Sequence, residues 1–125
     1  MKHVVLVVDD ARIMRNIIKK TLMESQKYNL LEASDGEDAI EMYKKIKPDL
    51  VTMDITMDNK NGVDAAREIL DYDARAKIIM VTALGQEKLL SECVQMGIKD
   101  YIVKPFTKER ILSAVAKALD NNGKK

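Results

Sequence analysis

Asp54 closes an apolar run, Leu50-Val51-Thr52-Met53, and polar residues close three further runs of the same kind. Asp9-Asp10 closes Val4-Val5-Leu6-Val7-Val8, Thr82 closes Ile78-Ile79-Met80-Val81, and Lys104 closes Tyr101-Ile102-Val103. Gathered at one place, these residues supply three carboxylates, a hydroxyl and an ammonium. The chemistry they suit is transfer of a phosphoryl group to a carboxylate. Close carboxylates repel one another, each pair costing on the order of 4 kcal/mol at an effective dielectric near 20. A divalent cation relieves that repulsion. Mg²⁺ takes oxygen ligands and keeps several waters, so a cluster of carboxylates suits it. It could then bridge Asp54 and a phosphoryl oxygen. Lys104 is a point charge able to neutralise a second oxygen, and the Thr82 hydroxyl could donate to a third. The product would be a mixed anhydride on Asp54, reactive enough to be a transient signal.

Each residue also has a plainer reading. Asp10 alone reads as the N-cap of a following helix. Thr82 alone reads as a β-former, Lys104-Pro105 as a turn, and Tyr101 as a half-buried strand aromatic. Asp54 resists such a reading, because an acid after a fully apolar strand must be desolvated unless something pairs with it. His3 reads as the start of a strand, Cys93 as a core thiol, and the methionines as fillers of core gaps. The stripe Arg12, Arg15 and Lys19 reads as a solvated helix face.

Short apolar runs rich in Val and Ile read as strands buried on both faces. Between them lie stretches of helical period. Ala11 to about Ser25 carries Met14, Ile17, Ile18 and Leu22 on one face. Tyr28 to Ala33 is a weaker strand, broken by Ser34-Asp35-Gly36. Ala39, Ile40 and Tyr43 face inward on the next helix, and Pro48 separates it from the strand leading to Asp54. Asp58-Asn59-Lys60-Asn61-Gly62 is a loop. Val63, Ala66, Ile69 and Leu70 mark the third helix. Leu89, Leu90, Cys93 and Val94 mark the fourth, which Gly97 stops. Ile111, Leu112, Val115, Ala118 and Leu119 mark the fifth, and the last residues, 121–125, form a polar tail. Strands alternating with helices predict an α/β domain over residues 1–120, a five-stranded parallel sheet with five helices on both faces. Right-handed crossovers and a doubly wound layout lead to strand order 2-1-3-4-5, flavodoxin-like. Ligands in such sheets bind beyond the carboxyl ends of the strands, between strands 1 and 3, where Asp9, Asp10 and Asp54 fall.

The bulk numbers narrow the classes further. The chain has 125 residues, 46% of them apolar and 33% charged, with a net charge of +1. That balance makes no electrostatic case for nucleic acid or an anionic membrane. The single cysteine excludes an internal disulfide and fits a reducing cytosol, so a cytoplasmic location is expected. The five-residue apolar run near the start is too short for a signal-peptide core or a membrane span.

The residues in order closely resemble the receiver domain of two-component response regulators, of the single-domain, CheY-like type. The resemblance rests on Asp9-Asp10 after strand 1, Met53-Asp54 ending strand 3, Gly62 opening helix 3, Thr82-Ala83 after strand 4, and Lys104-Pro105-Phe106 after strand 5. It covers nearly the whole chain. The chemotaxis receiver is a standard example of the 2-1-3-4-5 class, so the resemblance and the topology are not independent. The resemblance implies that Asp54 accepts a phosphoryl group from a histidine kinase or phosphotransfer protein. It implies that Asp9, Asp10, Asp54 and the Thr56 backbone carbonyl hold Mg²⁺. It also implies that Thr82 and Tyr101 form a switch, and that the Lys104–Pro105 bond is cis. Asp58 stands where the family usually has proline, losing the ring that fixes φ and adding a charge near the site.

The expected function is a stand-alone phospho-accepting switch in chemotaxis or motility control, self-phosphorylating but not an enzyme with outside substrates. A monomer is expected, with no direct nucleic-acid contact. Its output face would be helix 4, strand 5 and helix 5, where a downstream protein binds. The helix 1 stripe borders the site and offers a docking face to the phosphodonor. The alternatives are a phosphorelay intermediate or a receiver cut from a larger regulator. A flavodoxin-like electron carrier would need a Ser/Thr/Gly loop after strand 1, where this chain has Asp9-Asp10-Ala11-Arg12. A phosphatase would want a second acid two residues past the nucleophile, where this chain has Thr56.

Overall fold

The computed structural model describes residues 2–57 and 60–120. The elements alternate as expected: β1 (His3–Val8), α1 (Arg12–Glu24), β2 (Tyr28–Ala33), α2 (Gly36–Ile46), β3 (Leu50–Asp54), α3 (Gly62–Tyr72), β4 (Ile78–Thr82), α4 (Glu87–Met96), β5 (Asp100–Val103) and α5 (Lys108–Leu119). All four strand pairings are parallel and the order is β2-β1-β3-β4-β5. The expectations about Asp58 and the 121–125 tail lie outside the described residues.

The period-two alternation of the strands divides the core into two layers. Val5, Val7, Leu50, Ile79 and Ile102 pack with Ile18 and Leu22 of α1 and Ile111, Ala114 and Val115 of α5. Leu6, Val8, Val51, Met53, Ile78 and Met80 pack with the inner faces of α2, α3 and α4. β3 and β4 are buried at every residue, because they are central and covered on both sides. Side-chain oxygens of Asp35, Asn61 and Thr107 accept the amides of Asp38, Asp64 and Arg110, capping α2, α3 and α5. Gly97 ends α4 at φ 101°, a left-handed turn that costs glycine little.

Five expectations need correction. Asp10 does not cap α1: the N-cap position is Ala11, with no side-chain cap bond. Asp9 Oδ1 accepts the Ala11 amide at 2.9 Å, and this local turn moves the helix start one residue on. Ile17 is 44% exposed at the margin of the α1 face, beside Met14 and Phe106. On α4 only Cys93 is buried, Leu90 is half-buried, and Leu89 and Val94 face out. α4 packs on α3 and β4 near the edge of the sheet, so its inner seam is narrow. Met23 is exposed and fills no core gap. Lastly, the helix 1 stripe is not simply solvated. Arg15 and Lys19 both pair with Glu32 of β2, at 2.8 and 2.7 Å.

Candidate functional site: an acidic cluster at the sheet's carboxyl edge

The strand ends bring the predicted residues together. Asp9, Asp10 and Asp54 each offer a carboxylate oxygen within 4.8 Å of the others. Asp9 is 1% exposed and Asp54 7%, while Asp10 faces solvent. Lys104 Nζ lies 3.2 Å from Asp54 Oδ1 and 3.9 Å from Asp9 Oδ2. The Lys104 backbone amide donates to the Thr82 carbonyl at 2.7 Å, and the peptide that follows, Lys104–Pro105, is cis.

Sequence local to each strand end explains the placement. The Asp9 amide makes the last bond to β2, donating to the Ala33 carbonyl, and its Oδ1 then takes the Ala11 amide, which turns the chain out of the sheet. Arg15 Nη1 donates to the Asp9 carbonyl at 2.7 Å while its Nε binds Glu32, which pins the turn against β2. Past β3 the chain folds tightly back. The Gly62 amide donates to the Ile55 carbonyl at 2.7 Å, and a Cβ on Gly62 would stand 2.0 Å from the Asp54 carbonyl oxygen. No residue with a side chain fits there without moving the Asp54 backbone.

The electrostatics are those of an excess of buried acid. Burial first, and the Asp9 charge second, push the Asp54 carboxyl up to about 6, against the pull of Lys104. Burial also raises the Asp9 carboxyl, opposed by the Ala11 amide and by Lys104. Asp9 Oδ2 is buried and accepts no hydrogen bond. A buried carboxylate oxygen without a hydrogen-bond donor, on one of three clustered carboxylates, is what a hard cation satisfies. The oxygen-only donor set fits Mg²⁺.

Thr82 is 3% exposed, and its hydroxyl is turned toward Gln86 Oε1 at 3.1 Å. Thr56 sits in the bend past β3, its hydroxyl accepting from Gln86 Nε2. Tyr101 is 41% exposed on β5, and it lines a cleft of about 230 Å³ with Thr82, Ala83, Leu84 and Leu90. Sequence reasoning missed Gln86, which no spacing or residue type marks. It also missed the close approach at Gly62. A glycine shortly after a strand-ending acid was the one available signal.

Comparison with known proteins agrees with this geometry. Residues 5–116 match the family model described as the response regulator receiver domain. The chain is similar to Protein CcdB of Bacillus subtilis, 50% identical over 92% of this chain and 96% of that one. It is similar to the chemotaxis protein CheY of Bacillus subtilis, 47% identical over 96% of this chain and 100% of that one. Among solved structures it is similar to the CheX-CheY-BeF3-Mg complex of Borrelia burgdorferi. There the TM-score is 0.87 and the identity 34%, over 95% of this chain and 90% of the other. Among the described residues, no helix is long and apolar enough to cross a membrane. With the sheet order, the acidic cluster and the family match in agreement, this chain belongs to the response regulator receiver domain family.

Proposed function

We propose that Asp54 is the phosphoryl acceptor of a signalling switch. One observation carries the reading. Asp54 is a buried carboxylate at the end of the central strand, with Lys104 Nζ at 3.2 Å and two further acids beside it. An Asp54 oxygen forms the new bond to phosphorus, while the bond from phosphorus to the donor breaks and its electron pair leaves with the donor. Lys104 neutralises charge on the transferring group and meets it without reorganisation, since it is already in place. Asp9, Asp10, Asp54 and the Thr56 carbonyl would hold Mg²⁺, which would supply charge neutralisation between the acids and a phosphoryl oxygen. The Borrelia CheY, solved with BeF3 and Mg²⁺, supports that choice of ion.

The donor would be a histidine kinase or phosphotransfer protein, as the family implies. Thr82 and Tyr101 would form the switch. The cleft they share leaves room for the Tyr101 ring to move inward once Thr82 turns to the phosphate. The surface that changes would be α4, β5 and α5, where Leu89, Val94, Tyr101 and Val103 are exposed. The CheY relatives favour a role in chemotaxis. Incubation with acetyl phosphate and Mg²⁺ tests the acceptor: intact mass should rise by one phosphoryl group, and Asp54→Asn should abolish the rise. Equal labelling of that variant would refute the assignment.

A further inference from the structure

Gln86, in the turn between β4 and α4, joins three groups through one side-chain amide. Its Oε1 accepts from the Thr82 hydroxyl at 3.1 Å and from the Ala83 amide at 2.7 Å, and its Nε2 donates to the Thr56 hydroxyl. Thr56 and Thr82 stand on the two chain segments that flank Asp54. Thr56 is two residues past it, and Thr82 follows Val81, the β4 partner of Asp54 in the sheet register. Gln86 therefore ties together the two sides of the acceptor site.

The Thr82 hydroxyl has a single proton to give. Here it faces the Gln86 oxygen at 3.1 Å and the Ala83 carbonyl at 3.3 Å. To donate to a phosphoryl oxygen on Asp54, it must leave both. We propose that Gln86 is a positioning residue that competes with the phosphoryl group for the Thr82 proton. It thereby holds the site in its unphosphorylated arrangement. The proposal rests on Asp54 being the acceptor. A phosphoryl oxygen is charged and an amide oxygen is neutral, so the exchange runs toward phosphate. The hydrogen bond given up to Gln86 sets how far it runs. By binding the Thr56 hydroxyl, the same amide also holds the residue whose carbonyl would take the cation.

Beryllofluoride with Mg²⁺, an analogue of the aspartyl phosphate, is titrated into the wild type, Gln86→Ala, Thr82→Ala and the double variant. Gln86→Ala should bind roughly three- to tenfold more tightly than wild type, the worth of one net hydrogen bond. Gln86→Met, similar in length but without donor or acceptor, should do the same. In the Thr82→Ala background the Gln86 change should bring no gain, because there is no proton to release. Thr56→Val should tighten binding less, since Gln86 loses one anchor and keeps Thr82. Equal affinity in wild type and both Gln86 variants overturns the proposal. So does an undiminished gain in the Thr82→Ala background, since a general loosening of α4 would act without that hydroxyl. A wild type that does not bind beryllofluoride at all overturns the acceptor reading, and the Gln86 role with it.

Discussion

Replacing Asp54 by Asn should stabilise the metal-free protein, because the wild-type site is built for function at a cost in stability. The Asp54 carboxyl rises from 3.8 to about 6, chiefly through burial and then through Asp9. The folded state thus holds the proton more tightly than the unfolded chain does. Wild-type stability therefore falls as pH rises from about 4 to about 6, then levels off. At about 1.4 kcal/mol per unit the ceiling is ~3 kcal/mol. The side chain is 9% exposed, and residual screening brings the working figure to about 2 kcal/mol. Asn keeps the shape and an acceptor for Lys104 but carries no charge. In urea melts with chelator at about pH 8 the variant should gain about 2 kcal/mol, roughly 8 °C in melting temperature. Below about pH 4 the gain should disappear, since Asp54 is then neutral in both states. Saturating the metal site should narrow the difference: Mg²⁺ at ten times its Kd adds about 1.4 kcal/mol to the wild type. The variant, with one carboxylate fewer, should gain less. An Asn variant no more stable than wild type at high pH would refute the reasoning. So would a gain that does not change with pH.

Two further outcomes follow from the packing around Asp54. Gly62→Ala would place a Cβ 2.0 Å from the Asp54 carbonyl oxygen, a backbone atom that cannot swing aside. It should cost about 3 kcal/mol in chemical denaturation and slow labelling by acetyl phosphate; unchanged stability and labelling would contradict the geometry. Thr52 is 2% exposed on β3, with a hydroxyl that has no partner. Thr52→Val should raise stability by about 1 kcal/mol, measured by the same melts, and a loss would show that the hydroxyl is satisfied.

Much of this arrangement is legible in the chain because burial on both faces leaves a plain mark. β1, β3 and β4 read as apolar runs, and the polar residues that close them are the ones the fold brings together as the candidate site. Tyr28–Ala33 has the expected bounds although it is an edge strand with mixed burial. The misreadings come from side chains whose partners are set by tertiary structure. Asp10 looks like an N-cap by position, yet the helix is capped at Ala11, whose amide goes to the Asp9 side chain. Leu89 and Val94 keep helical period with Cys93, but α4 lies near the sheet edge and buries only a thin seam. Arg15 and Lys19 look like a solvated stripe until β2 brings Glu32 against them. Gln86 could not be read at all, since its role depends on two turns meeting across the site.

Reduction of the phosphorylated protein with borohydride tests the central claim most directly, because it identifies both the bond and the residue. An acyl phosphate on aspartate is reduced to homoserine, whereas phosphate esters of Ser and Thr are not. Peptide mass spectrometry after treatment with acetyl phosphate and Mg²⁺ should find homoserine at position 54, and its formation should require Mg²⁺. Homoserine at position 9 or 10 instead, or a phosphoryl group that resists borohydride on any side chain, would contradict the account.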